Sequence, residues 1–393
     1  MQLIYDIRGK YPSEINKNLS SFLAKKFIIF LKKKKINKII IAQDIRKSSI
    51  ILVNSFAQEI LKSKIKIKYL GILPTALFYY YCLKLKTPGV IITASHLPLS
   101  YNGFKFFIPP NKNWLYKKIP QSISEQKIQK NIFTTKIDRN LYLNYLKVIK
   151  KIIKLKKNYN YSYKENLKSS NKSLLQLLPL VFKELKIKKN SDVFVSSDYD
   201  GDRLFIKYRN FIISPEHILF VILKNNNYKK VGIPITIHKK IKFLFPKIKF
   251  YFIKTGHSNF KKAYKKYNLD FALEPSYHFY FFKDIKTEAP ILALLNLFKF
   301  LDNYDINYLK NLKFPLKRIE TKNIKIIKKL ENYAKINNFK IKKFDDYFYY
   351  KKFNNNNYLS FNIRKSKTEK NIYRIFIESS EDILIKKLLN QVF

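Results

Sequence analysis

Cysteine, methionine and tryptophan each occur once in 393 residues, and glycine only seven times. The single cysteine, Cys82, excludes an intramolecular disulfide framework and fits a reducing compartment, so a cytoplasmic protein is expected. No run of eighteen apolar residues occurs. The greasiest helix-like stretch, Ile291 to Leu301, is too short for a bilayer and contains Lys299, so no membrane segment is expected. Asp6 and Arg8 interrupt the N-terminal residues, which therefore lack the apolar core of a signal peptide. Seven scattered glycines cannot form a Rossmann fingerprint, no G-x-x-x-x-G-K-[ST] loop is present, and no Cys/His set has zinc spacing.

Acidic residues are also few: 27 against 79 Lys and Arg, for a formal charge of +52. Such a charge invites a polyanion as partner. Yet 71 of the basic residues are lysines spread evenly along the chain. Lys, Asn, Ile, Phe and Tyr, all specified by A/T-rich codons, dominate throughout. Mutational bias accounts for the charge, and a nucleic-acid partner is not expected. The field would still steer anionic substrates toward the protein.

The bias makes the exceptions informative. Gly9, Gly103, Gly201 and Gly256 lie in polar clusters, as do Arg8, Arg203 and Arg364 and His96, His257 and His278. Glycine is held where φ > 0 or a close backbone approach is needed. Arginine is held where a planar two-pronged donor is needed.

Strand and helix patterns alternate. Strands are expected at Lys38 to Ala42, Ile65 to Leu70, Gly89 to Ile92, Asp192 to Ser196, Ile248 to Ile253 and Asp270 to Leu273. Helices are expected over 14–33, Ser48 to Lys62, Thr75 to Lys84, Asn140 to Leu155, Leu174 to Leu185 and Lys322 to Ile336. This is an α/β chain. Residues 110–125, broken by Pro109, Pro110 and Pro120, read as a linker, and Lys156 to Asn171 as a polar loop. The expected architecture is three consecutive α/β layered domains (1–120, 121–212 and 213–313) and a smaller C-terminal α+β domain (314–393).

Polar clusters follow the strands, at the edge where ligands bind in open α/β sheets. After Gly89 to Ile92 come Thr93-Ala94-Ser95-His96-Leu97-Pro98 and Tyr101-Asn102-Gly103-Phe104-Lys105. These supply a hydroxyl at Ser95, an imidazole at His96 and an amine at Lys105, the last two able to move a proton. After Asp192 to Ser196 come Asp198, Asp200 and Asp202, then Arg203. Three alternating carboxylates in an acid-poor chain suit a hard cation such as Mg²⁺. The spacing is not that of an EF-hand, because Arg203 stands at the sixth position. Glu274, Ser276 and His278 offer acceptors and donors for sugar hydroxyls. Arg364, Ser366 and Thr368 offer a guanidinium and two hydroxyls for a phosphate.

Together these clusters resemble the α-D-phosphohexomutases of the phosphomannomutase/phosphoglucomutase type. Tyr5-Asp6-Ile7-Arg8-Gly9 is similar to that family's N-terminal Y-D-I-R-G. Thr93 to Lys105 looks like its phosphoserine loop, and Asp198 to Arg203 like its metal loop D-G-D-G-D-R. Lys254 to Ser258 looks like K-T-G-H-S, Glu274 to His278 like E-x-S-G-H, and Arg364 to Thr368 like R-x-S-x-T. The six motifs run in order over nearly the whole chain.

The resemblance implies four domains around a central cleft and interconversion of hexose 1- and 6-phosphates through a bisphosphorylated sugar. It implies a phosphorylated Ser95, with Mg²⁺ held by Ser95, Asp198, Asp200 and Asp202. His96, Lys105 and Arg203 would join the catalysis. Tyr5, Arg8, Lys254, His257, Glu274, Ser276, His278, Arg364, Ser366, Lys367 and Thr368 would bind the substrate. Four positions depart from the pattern. Leu97 stands for Asn, Tyr199 and Tyr277 for Gly, and Lys367 for Gly or Asn. A tyrosine forced to φ > 0 costs on the order of 1–3 kcal/mol. The second domain also looks shortened, with no clear counterpart around residues 156–172 of the family's glycine-bearing strand turn before the metal loop. A phosphoglucosamine mutase is the alternative enzyme. A decayed scaffold serving as a basic binding protein is the alternative of another class.

Overall fold

The computed structural model describes residues 2–3, 6–110, 112–120, 123, 132–153, 162–165, 178–183, 188–344, 347–353, 357–366 and 371–392. Tyr5, Lys367 and Thr368 lie outside the described residues, as do 174–177, 184 and 185 of the helix expected over Leu174 to Leu185. Contacts divide the chain into two compact units. One joins 1–213 to 276–302; the other joins 214–275 to 303–393.

The first unit is built on a seven-stranded mixed sheet. Lys38–Gln43 runs parallel to both Lys66–Ile72 and Gly89–Ile92. Gly89–Ile92 then pairs antiparallel with Tyr101–Ile108, which pairs with Ile7–Lys10. All four residues of Gly89–Ile92 are buried, as expected of a strand covered on both faces. Helices Lys17–Lys33 and Lys47–Lys62 bring Leu19, Leu23, Phe27, Leu52 and Phe56 against Ile39, Ile41, Phe104 and Phe106. Helix Thr75–Lys84 serves the other face, with Tyr79 against Phe107 at 4.8 Å between ring centroids. Its residues 75–82 are all buried, which is why that segment is apolar around its whole circumference. Cys82 is buried among them.

Two sequence expectations are corrected here. Part of the presumed linker, Lys112–Trp114, is a strand paired with Tyr101–Ile108, and Trp114 packs edge-on against Phe106. The presumed loop after Lys156 contains the strand Ser162–Glu165, parallel to Lys188–Ser196. Prolines hid the first of these and low complexity the second, because a pairing partner and not the segment's own composition defines each. Lys188–Ser196 also pairs antiparallel with Phe205–Tyr208, which pairs with Phe211–Ile213. The boundary expected at 212 therefore cuts a strand, and the division between the units falls after Ile213. The hairpin of Phe279–Phe281 and Thr287–Glu288 and the helix Pro290–Leu301 also belong to this unit.

In the second unit, Lys230–Ile233 lies parallel to Lys249–Phe252 and Phe271–Leu273. A five-stranded antiparallel sheet follows, in the order Leu316–Thr321, Tyr373–Ser379, Tyr358–Lys365, Tyr347–Lys352, Lys340–Lys343. Leu359, Phe361, Ile363, Ile375 and Ile377 face one way and pack with helices Ile324–Ile336 and Asp382–Val392. Two buried histidines tie the unit together. His217 Nδ1 accepts the Ser214 N–H and its Nε2 donates to Leu312 O. His238 Nδ1 accepts the Lys240 N–H and its Nε2 donates to Ser379 O. No helix among the described residues is long and apolar enough to cross a membrane.

Gly103 sits where a Cβ would meet Ile7 O at 2.1 Å and Thr93 O at 2.9 Å. Gly103→Ala should therefore cost about 1–3 kcal/mol, read as a lower thermal midpoint; an unchanged midpoint would contradict the packing. Burial lowers the pKa of both His217 and His238 below the ordinary value. The unfolded chain then binds more protons, so their contribution is full above pH ~6.5 and is lost as pH falls. The unfolding midpoint should drop from pH 7.5 to 5.5 more steeply in the parent than in a His217→Asn, His238→Gln double variant. Equal slopes would refute this origin.

Candidate active site

The Ser95 loop leaves the sheet at the carboxyl end of Gly89–Ile92. Thr93 N–H donates to Gly103 O at 3.0 Å, which keeps the first loop residue on the neighbouring strand. Asn102 Nδ2 donates to Ser48 and Ser49 Oγ at 2.7 and 3.1 Å, fastening that strand to the helix behind it. Ser95 itself has φ +55°, a left-handed conformation uncommon for a side-chain-bearing residue. Three contacts hold it there or nearby. Its N–H donates to Thr93 Oγ1 at 2.9 Å, Arg46 Nη2 donates to its carbonyl at 2.7 Å, and Arg8 Nη1 donates to Ala94 O at 3.3 Å. Arg8 is in turn gripped by both oxygens of Asp6, at 2.8 and 2.6 Å.

The acidic loop follows Lys188–Ser196. Gly201, at φ +66°, turns the backbone between Asp200 and Asp202. One carboxylate oxygen from each of Asp198, Asp200 and Asp202 lies within 4.8 Å of the others. Ser95 Oγ is 3.5 Å from Asp198 Oδ2. The hydrogen bonding of Asp200 and Asp202 is one-sided, whereas Asp198 Oδ1 accepts the Arg203 N–H at 3.3 Å. Asp200 Oδ2 accepts from Thr75 Oγ1 at 2.7 Å and from Lys105 Nζ at 2.6 Å. Asp202 Oδ2 accepts from Lys105 at 3.0 Å. The Oδ1 atoms of both aspartates are buried without a hydrogen-bond partner. A buried, unanswered carboxylate oxygen is costly, and an all-oxygen cluster is the donor set of a hard divalent cation. The residues present thus fit such an ion.

Charge in this interior is unevenly shared. Burial, then the like charges of Asp202 and Asp200, push the Asp198 carboxyl up. Burial also acts on Asp202, but Lys105 and Arg203 outweigh it and hold that carboxyl down. Lys105 stays an ammonium: burial opposes its charge, and Asp200 and Asp202 more than restore it.

Arg203 fixes two rings. Its Nη2 lies 3.1 Å from His96 Nδ1 and its Nε donates to His278 Nε2 at 3.2 Å. A guanidinium only donates, so both of these ring nitrogens carry lone pairs. Burial, then Arg203 and Arg8, lower His96 to about 3, and it stays neutral with its proton on Nε2. For His278, Asp202 and Glu288, each 3.8 Å from Nδ1, place the single proton of the neutral ring on that nitrogen. The carboxylates hold a proton on Nδ1, and Arg203 covers Nε2.

Ser95, His96, Lys105, Arg203, His278, the three aspartates and Arg8 thus gather in the first unit. Ser276 belongs to that unit as well, next to Tyr277. Tyr277 has φ +66°, the strained geometry expected of a side chain where a glycine would serve. Its ring packs on Phe205 at 4.7 Å. Tyr199 needs no positive φ. In the second unit, Glu274 Oε1 accepts the N–H of Gly256, the residue just before the helix His257–Tyr267, at 2.8 Å. Lys254 is exposed nearby. Arg364 and Ser366 close the strand Tyr358–Lys365, where Ser366 N–H donates to Ile372 O at 2.7 Å.

Four participants went unread in the sequence: Arg46, Asp44, Thr75 and Glu288. Arg46 carried a signal, being one of only eight arginines. Thr75 and Glu288 carried none, since only folding brings them beside Asp200 and His278.

Residues 4–136 match the phosphoglucomutase/phosphomannomutase α/β/α domain I. A phosphomannomutase of Methanocaldococcus jannaschii is 28% identical over 343 residues, covering 76% of this chain and 75% of that protein. A probable phosphoglucosamine mutase of Methanosphaera stadtmanae is 35% identical over 102 residues, 26% of this chain and 22% of the relative. A solved phosphoglucomutase/phosphomannomutase family structure from Burkholderia thailandensis superposes with a TM-score of 0.75 at 17% identity, covering 99% of this chain and 95% of that one.

Thr75→Val removes the hydroxyl that occupies Asp200 Oδ2. Mn²⁺ affinity, read by electron paramagnetic resonance, should fall roughly 10-fold or more, and Thr75→Ser should restore it. Equal affinity in the valine variant would show that Thr75 does not orient the carboxylate.

Proposed function

The chain belongs to the α-D-phosphohexomutase family, and from that premise we propose that it interconverts hexose 1-phosphate and hexose 6-phosphate, of mannose or glucose, through a phosphoserine at Ser95. The observation that carries this reading is the set of three buried carboxylates beside Ser95 Oγ, two of them with unanswered oxygens. Ser95, Asp198, Asp200 and Asp202 would hold Mg²⁺. When bound, that ion supplies the positive charge that phosphoryl transfer requires on the phosphoryl oxygens.

The rest is positioning and proton transfer by the chain. The phosphoryl group leaves Ser95 Oγ for the free hydroxyl of the sugar phosphate; the hydroxyl loses its proton and Ser95 regains one. The bisphosphorylated sugar then returns its other phosphoryl group to Ser95. Lys105, held as an ammonium by Asp200 and Asp202, offers a fixed positive charge to the transferring phosphoryl group. His96, neutral at physiological pH, can take a proton once Arg203 shifts from Nδ1. Arg8 holds the loop at Ala94. In this reading Ser276, His278 and Glu274 bind sugar hydroxyls with Lys254 and His257. Arg364, Ser366, Lys367 and Thr368 bind the phosphate that is not reacting, and Tyr5 joins Arg8 at the substrate.

Purified protein with Mg²⁺ and a trace of glucose 1,6-bisphosphate should convert glucose 1-phosphate or mannose 1-phosphate. Its intact mass should carry one phosphate that maps to Ser95. Ser95→Ala should lower turnover by at least about a thousandfold; full activity in that variant would sink the assignment. The phosphoglucosamine mutase match favours a second reading. Glucosamine 1-phosphate assayed in parallel decides between them.

A further inference from the structure

Arg46 is buried and bonded through all three guanidinium nitrogens. Its side chain has no exposure to solvent, nor has that of its partner Asp44. Nε donates to Asp44 Oδ2 at 2.9 Å. Nη1 donates to Pro98 O at 2.8 Å, and Nη2 donates to Ser95 O at 2.7 Å and to Leu97 O at 2.8 Å. Asp44 is itself fixed by the Arg46 N–H and the Ser49 hydroxyl. One guanidinium thus spans the nucleophile loop from residue 95 to residue 98. Lysine could not do so while also pairing with Asp44, because its ammonium offers three donors at a single point and these four bonds come from a forked guanidinium.

The face of that guanidinium is covered from the other loop. The Tyr199 ring lies 4.9 Å from Arg46 Cζ, within the range of an attractive cation–π contact. Tyr199 stands between Asp198 and Asp200. Its ring therefore connects the guanidinium that holds Ser95 to the backbone that carries the carboxylates. Ser95 Oγ and Asp198 Oδ2, at 3.5 Å, have no tighter direct link than this. Leu97 offers the loop no polar side chain of its own, and its only loop bonds are those of its backbone: its N–H to Ala94 O and its carbonyl to Arg46.

We propose that Tyr199 and Arg46 form a positioning pair that sets the register of Ser95 against the three aspartates, with the electron density of the Tyr199 ring as the coupling. Tyr199 touches no reacting atom in this arrangement. It is a positioning residue, and it deepens the phosphoserine reading on which its catalytic consequence rests. The occurrence of a large aromatic side chain in a turn between two carboxylates then has a physical reason, since a glycine there would leave the guanidinium face open to water.

The test separates electron density from bulk. Tyr199 is replaced by Phe and then by mono-, di- and trifluorinated phenylalanine, which keep the ring's shape while draining its face. Amide exchange of peptides spanning residues 93–101 is followed by mass spectrometry on the whole protein. Turnover of glucose 1-phosphate with Mg²⁺ and glucose 1,6-bisphosphate is measured alongside. Tyr199→Phe should leave both within about twofold. Exchange at Ser95 and Leu97 should then quicken stepwise with each fluorine, by roughly 3- to 10-fold across the series. The maximal rate should fall in step, with little change in KM. Exchange and rate that stay flat across the series overturn the proposal, as does a Phe variant as impaired as the trifluorinated one. A parent without turnover on any hexose phosphate, but with graded exchange, overturns the mutase reading and leaves the pair standing.

Discussion

Three carboxylates are buried together, and the rest of the first unit is arranged around answering them. Asp198, Asp200 and Asp202 have little access to solvent, so water cannot screen their repulsion. Lys105 reaches Asp200 and Asp202, Arg203 reaches Asp198, and Thr75 donates to Asp200. This compensation is incomplete, because two oxygens remain without a donor. A site built this way gains from one more cation, and it places that need beside a serine hydroxyl. The electrostatics that make the interior costly are also what suit it to holding a hard divalent cation.

Holding Ser95 in place takes a second set of buried charges. Arg46 and Asp44 neutralise one another at no exposure, and the guanidinium uses its remaining donors on loop carbonyls. The left-handed Ser95 is stable because its N–H and its carbonyl are both bonded. Tyr277 shows the contrasting solution. It adopts a glycine-like backbone and offsets part of the strain by packing its ring on Phe205. Two positions that depart from the family pattern in the same direction, glycine to tyrosine, thus differ physically: Tyr277 requires φ > 0 and Tyr199 does not.

Much of the fold was legible in the sequence. Gly89–Ile92 and Thr75–Lys84 were bounded correctly because one is a short apolar run and the other is apolar all round, as buried elements must be. Tyr101–Ile108 was seen only as a motif, and Lys112–Trp114 and Ser162–Glu165 were taken for linker and loop. Each of these strands is defined by its partner, and nothing in its own composition supplies that. The same limit applied at the site. Scarce residues in polar clusters pointed to Ser95, Asp198, Asp200, Asp202 and Arg203. Thr75 and Glu288, ordinary residues at ordinary positions, became visible only beside Asp200 and His278.

By itself the sequence determined the order of the elements, the exits at which chemistry is placed and the residue types available there. These depend on periodicity and on residues retained against a strong compositional bias, both local properties of the chain. Tertiary structure alone decided which oxygens of Asp200 and Asp202 are bonded and which are left open, which nitrogen of His96 and His278 carries the proton, and which arginine spans the Ser95 loop. Those outcomes depend on distances of a few ångströms between residues up to 125 positions apart, such as Thr75 and Asp200. Only the folded chain sets such distances.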